Sequence, residues 1–252
     1  MQFPVFDSTF FVLLLVVAVS GTVRGFSGFG AGMVFMPIAA ALVGPKIAVI
    51  IIWLVDTLPS LPIIVPALGQ ARWKSVLPVI AGYAPALPLG IWWLSTGNVE
   101  ILRWTISLAV LAAIAALWTG WRYSGERSPL IAASAGVFSG VIGGATQLSG
   151  PPVVLYWLSG DAPAWQFRAN VIVYFCMTTV LSGSAMALAG LFTVKAATYA
   201  VAFAPVYAAG VYAGKHLFPL ASERFFRRAA FGVILFAALS GLPLFDAILH
   251  RG

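Results

Sequence analysis

Charge is what this sequence has least of. Only 8% of its 252 residues are Asp, Glu, Lys or Arg, against about a quarter in an ordinary soluble domain. A water-facing surface cannot be covered with so few charges, and that excludes an independently folded soluble domain. Histidine is nearly absent, with His216 and His250 alone, so a His-rich metal site is excluded. The sole cysteine, Cys176, cannot form an intramolecular disulfide and reads as a small buried hydrophobe. No G-x-x-x-x-G-K-[ST] loop occurs, which excludes the P-loop route to nucleotide hydrolysis. The beginning, MQFPVFDSTF, carries Asp7 in place of a positive run, and a cleaved signal peptide is not expected.

Apolar residues fill the space left. They make up 61% of the chain, and the mean hydropathy is +1.00. Runs of about 20 residues, each long enough to cross roughly 30 Å of hydrocarbon, follow one another with short polar joints. The expected fold is an all-α polytopic membrane protein of eight apolar segments. They cover residues 8–43, 47–68, 75–94, 101–121, 129–158, 164–191, 196–220 and 227–249. Trp92, Trp93, Trp118, Trp121, Tyr123, Trp157 and Trp165 lie near segment ends, as interfacial anchors do. The net charge of +7 then reflects Lys and Arg at cytoplasmic ends rather than affinity for nucleic acid.

Two segments are interrupted by glycine. The first reads GFSGFGAGMVFMP, broken at Gly25–Gly32; the second reads GGATQLSGPP, broken at Gly143–Gly150. Setting Gly30-Ala31 against Gly144-Ala145 brings Pro37 opposite Pro151. This repetition predicts two homologous halves, residues 1–124 and 125–252, each starting with a broken segment. The pieces flanking the second break, about 14 and 8 residues, are each too short to span. Either a broken helix crosses, or a re-entrant hairpin dips in and returns.

Crossing segments would divide the flanking Lys and Arg nearly evenly. Re-entrant ones would collect Arg72, Lys74, Arg122, Arg127, Arg168, Lys215, Arg224, Arg227 and Arg228 on one face. The positive-inside bias favours that arrangement, which makes the halves an inverted repeat. Prolines 59, 62 and 66, then 78, 85 and 88, predict kinked helices in the first half.

An unwound stretch at membrane depth survives only where protein or a wet cavity surrounds it. The helix N-terminus at such a break points N–H groups at that cavity and attracts anions. Arg24 precedes the first break after about 15 apolar residues. An unpaired Arg there costs at least about 2.5 kcal/mol, so it needs Asp56, backbone carbonyls or an anionic substrate. Asp56 is the one carboxylate well inside an apolar run. It serves either as Arg24's partner or in proton or charge coupling. Candidate substrate-binding residues are Arg24, Ser27, Gly28, Gly30 and Gly32 at the first break. At the second they are Gly143, Gly144, Thr146, Gln147, Ser149 and Gly150, with Ser139 about one turn earlier, and Arg168 and Asn170 beyond. Isolated glycines such as Gly82 and Gly210 read as helix-packing positions.

These two motifs, with the helix start Phe167-Arg168-Ala169-Asn170, resemble the TauE/SafE sulfite-exporter family, also called the toluene-sulfonate uptake permease family. The resemblance covers essentially the whole chain. It implies transport, usually export, of sulfur-containing oxyanions or organosulfonates such as sulfite or sulfoacetate across a bacterial inner membrane. It also implies functional positions at Gly28, Gly30, Gly32, Gly143, Gly144 and Gly150, break prolines Pro37 and Pro151, and a role for Arg168. Gln147-Leu148-Ser149 replaces a more glycine-rich run and Asn170 stands where Thr is usual; both departures bear on substrate choice.

The expected protein is thus a secondary transporter, with an anion bound between the two breaks near mid-membrane. Its partners are the bilayer, a coupling ion such as the proton, and further copies of the chain. Cofactor, metal and nucleic acid are not expected. An anion channel, or an uptake permease for another oxyanion or a carboxylate, fits the same residues. Membership of a larger membrane assembly fits too. An intramembrane enzyme fits poorly, for want of a nucleophile–base pair at depth.

Overall fold

The computed structural model describes residues 7–119, 128–159, 162–217 and 223–245. Within them the chain is helical: α1 (Ser8–Ser27), α2 (Ala31–Val43), α3 (Pro45–Gln70), α4 (Trp73–Thr96), α5 (Val99–Thr119), α6 (Pro129–Thr146), α7 (Gly150–Leu158), α8 (Ala164–Leu188), α9 (Val194–Leu217) and α10 (Glu223–Ser240), then a 3₁₀ turn at Pro243–Phe245. Six of them, α1, α4, α5, α6, α8 and α9, contain stretches long and apolar enough to cross a membrane. The protein is an all-helical, multi-pass membrane protein.

The starts are set by side chains that satisfy the first turn. Asp7 accepts from the Phe10 N–H at 2.8 Å, Asn98 from the Glu100 N–H at 2.8 Å, and Ser128 from the Ile131 N–H at 3.3 Å ahead of Pro129. The predicted segments 47–68, 75–94 and 196–220 correspond to α3, α4 and α9. The expected segment 227–249 stops early, at Ser240, because Gly241 and Pro243 end the helix there. Both α3 and α4 run unbroken through their prolines. The predicted boundary at 124/125, with Trp121, Arg122, Tyr123 and Arg127, lies outside the described residues, as do His250 and Arg251.

The chain forms two compact units. The first takes Met1–Pro59, Gly97–Ile114 and Phe192–Gly252; the second takes Ser60–Thr96 and Ala115–Leu191. In the first, α1 packs on α9 and on α2, and α2 packs on α10. Gly21 and Gly25 of α1 lie against the backbone of Tyr207 and Val211, and Gly210 of α9 lies against Ala18 and Thr22. Phe10 fills the same seam, 5.2 Å from the Phe203 ring.

In the second unit, α4 packs on α6 and α8, and α7 sits against α6 and α8. Here Gly82 and Gly90 meet Ala133 and Gly144, while Gly136 and Gly140 meet Val79 and Tyr83. Small residues let the backbones close up where lipid supplies no hydrophobic drive. The α1–α9 and α4–α6 pairs thus each join a helix from residues 1–119 to one from residues 129–217.

Candidate functional site

The first broken segment unwinds where glycine permits it. Gly28 (φ 76°) and Gly30 (φ 96°) both take the left-handed conformation, and a Cβ on Gly28 would meet nothing within 4 Å. Conformation, not crowding, selects glycine at Gly28. The Gly28 N–H closes α1 on the Arg24 carbonyl at 2.8 Å. Arg24 then reaches forward over the break. Its Nη1 donates to the Gly28 carbonyl at 2.7 Å, and its Nε lies 3.1 Å from Asp56 Oδ1 on α3. Tyr207 on α9 donates its hydroxyl to the same carboxylate oxygen.

Of the partners that the sequence offered Arg24, the structure thus uses two, Asp56 and a backbone carbonyl. A helix end, the break, α3 and α9 are tied at one point, all within the first unit. Beyond the break, Gly30 precedes α2 without a side-chain cap. Its carbonyl takes the N–H groups of Met33 and Val34, which leaves those of Ala31 and half-buried Gly32 to head the helix. Ser27 is the last residue of α1; its side chain lies outside the described residues.

The second break begins later than the sequence suggested. Helix α6 continues through Gly143 and Gly144 to Thr146, and the interruption is Gln147–Ser149. Gly144 is a packing glycine: a Cβ there would stand 2.8 Å from the Leu87 carbonyl oxygen and 3.0 Å from Gly90 Cα. Unwinding at Gly144 would forfeit that contact with α4. Gly143 faces the break itself, where a Cβ would fall 2.6 Å from that of Ser149.

Gln147 turns the chain in the left-handed conformation, and its N–H closes α6 on the Gly143 carbonyl. Thr146 is buried; its hydroxyl donates to the Ile142 carbonyl at 2.6 Å and accepts from the Leu148 N–H at 3.2 Å. The Ser149 carbonyl takes Ser139 of α6 and, at 3.0 Å, Tyr174 of α8; those two hydroxyls lie 2.5 Å apart. Gly150 opens α7 against the ring of Phe175. Trp157 Nε1 donates to Ser75 Oγ at 2.9 Å and ties α7 to α4.

The prolines do not break helices. Pro151 stands in the first turn of α7, where its missing N–H has no intrahelical partner to lose. Pro37 lies inside α2, which continues around it. Packing holds it: the Gly241 backbone closes on Pro37, where a Cβ would sit 2.6 Å from the Pro37 carbonyl oxygen.

Arg168 is exposed, in the second turn of α8. Asn170 is buried, and its Oδ1 accepts the Arg72 N–H at 2.8 Å. That carboxamide ties down the joint ahead of α4. Sequence reading missed Tyr174 and Tyr207. Both are tyrosines inside apolar runs, fully buried, and a buried phenol requires a partner. That requirement was the available signal.

Helix α1 (20 residues) and α6 (18 residues) are each long enough to cross the hydrocarbon at 1.5 Å per residue; α2 (13 residues) and α7 (9 residues) are not. The expectation that both pieces at the second break are too short therefore holds for α7 alone, because α6 runs four residues past Ile142.

The family described as sulfite exporter TauE/SafE matches residues 13–241. The chain is 24% identical over 221 residues to the "Probable sulfite/organosulfonate exporter TauE" of Cupriavidus necator, covering 83% of this chain and 84% of that protein. No solved structure matches it significantly.

Proposed function

Because the chain belongs to the sulfite exporter TauE/SafE family, we propose that it is a secondary transporter that exports a small sulfur-containing anion. Sulfite and organosulfonates such as sulfoacetate are the substrate class, and the bacterial inner membrane is its place. The observation that carries the reading is the first break, where an uncapped helix start follows a guanidinium held at the end of an apolar helix. Such an end attracts anions without any bound cofactor. Arg24 supplies positive potential while Asp56 holds it. Asp56 is the group we assign to coupling, since protonating it would loosen Arg24 and Tyr207 together.

The two halves form an inverted repeat in this reading. What supports it is the recurring order of elements: a long helix, a break, a short helix, then three further helices, in α1–α5 and again in α6–α10. The packing supports it as well, since α1 pairs with α9 and α6 with α4, the first helix of one half with the fourth of the other each time.

Reconstitution into liposomes tests the function. Sulfite or sulfoacetate flux that saturates at carrier rates supports it. Folded protein that moves neither of them, nor sulfate, overturns it, and currents far above carrier turnover would identify a channel instead.

A further inference from the structure

Among the described residues, Gln147 is the one residue other than glycine with a positive φ, at 58°. Glycine or asparagine normally closes a helix in this conformation, because a Cβ crowds the following carbonyl. The same residue carries a second unfavourable feature. Its carboxamide nitrogen is buried and has no hydrogen-bond partner among the described residues, and a buried donor left unmade is costly.

Several polar groups of the same break are engaged or missing. Thr146 is used twice within its own turn, and the Ser149 carbonyl takes two hydroxyls. Pro151 and Pro152 remove two N–H groups from the first turn of α7, so its helix start offers an anion little. The buried side-chain donor left over at the second break is the Gln147 amide.

We propose that Gln147 is a specificity-determining contact of the transported anion, its Nε2 donating to an S–O oxygen of a sulfite or sulfonate group. This rests on the transport reading above. A neutral donor suits a transporter, because it recognises an oxyanion without a full positive charge, which would slow release. The strained backbone keeps the amide at the break instead of letting the helix absorb it.

Three variants test this in proteoliposomes with radiolabelled sulfite and sulfoacetate. Gln147→Glu keeps the shape and places negative charge at the oxyanion; its KM for both substrates should rise about ten-fold or more. Gln147→Gly deletes the amide and relieves the left-handed backbone. Its KM should rise about five-fold while its melting temperature in detergent stays level or increases. Gln147→Asn, which tolerates the same backbone, should fall between wild type and Gly.

If wild type transports and both the Glu and Gly variants keep KM within about two-fold, the assignment of Gln147 is overturned and the transport reading stands. A fall in kcat at unchanged KM overturns it too, as that is the signature of a structural role. If wild type moves no sulfur anion, both readings fall. Should the Glu variant not fold, the Gly variant decides alone.

Discussion

The two breaks stand at matching places in the order of elements, yet different chemistry holds them. At the first, two glycines make the turn and a guanidinium clamps it, bonded to the Gly28 carbonyl and to Asp56. At the second, a glutamine makes the turn and two neutral hydroxyls, Ser139 and Tyr174, hold the Ser149 carbonyl. A helix break therefore admits an ionic or a neutral support. The difference lies in what remains for a ligand: backbone N–H groups beside a committed cation at one break, a buried carboxamide at the other.

The largest effect should come from removing the charge. Arg24→Ala leaves Asp56 unbalanced and should cost about 3 kcal/mol, read as a lowered unfolding midpoint in detergent or bicelles. Asp56→Asn should cost a similar amount. The double variant should lose less than the sum by about 1–2 kcal/mol; strict additivity would show that the pair is not coupled. Next comes Gly144→Ala, which drives a methyl into the Leu87 carbonyl and should cost about 2 kcal/mol.

The tyrosines then separate the supports. Tyr207→Phe removes a bond to a carboxylate and should cost about 2 kcal/mol, Tyr174→Phe about 1 kcal/mol because Ser139 still serves the carbonyl; equal losses would erase the distinction between ionic and neutral breaks. As small as the Tyr174 effect is that of Gly28→Ala, at about 1 kcal/mol. The open space around Gly28 makes it purely conformational, and Gly28→Asn should recover part of the loss.

Membrane class, the run of helices and the existence of both breaks were legible because hydrophobicity and glycine write them directly. The position of the second break was not. Gly143 and Gly144 looked like breakers, but Gly136, Gly140 and Gly144 recur every fourth residue, the spacing of one helix face. That face packs on α4. Asn170 was legible as a polar candidate but not as a tie, since only the fold brings Arg72, 98 residues away in sequence, to its carboxamide. Asp56 could be matched to Arg24 because charges at depth are rare. Tyr207, 151 residues from Asp56, could not.

That last separation bears on how the protein is made. The second unit ends at Leu191, whereas the first needs helices from both ends of the chain. Synthesis at about 5–20 residues per second puts roughly 8–30 s between the emergence of Asp56 and that of Tyr207. During that interval Asp56 is there to pair with the arginine of α1, while α9 and its tyrosine are still to be made. The unit that holds the start of the chain is thus the one whose remaining helices are translated last.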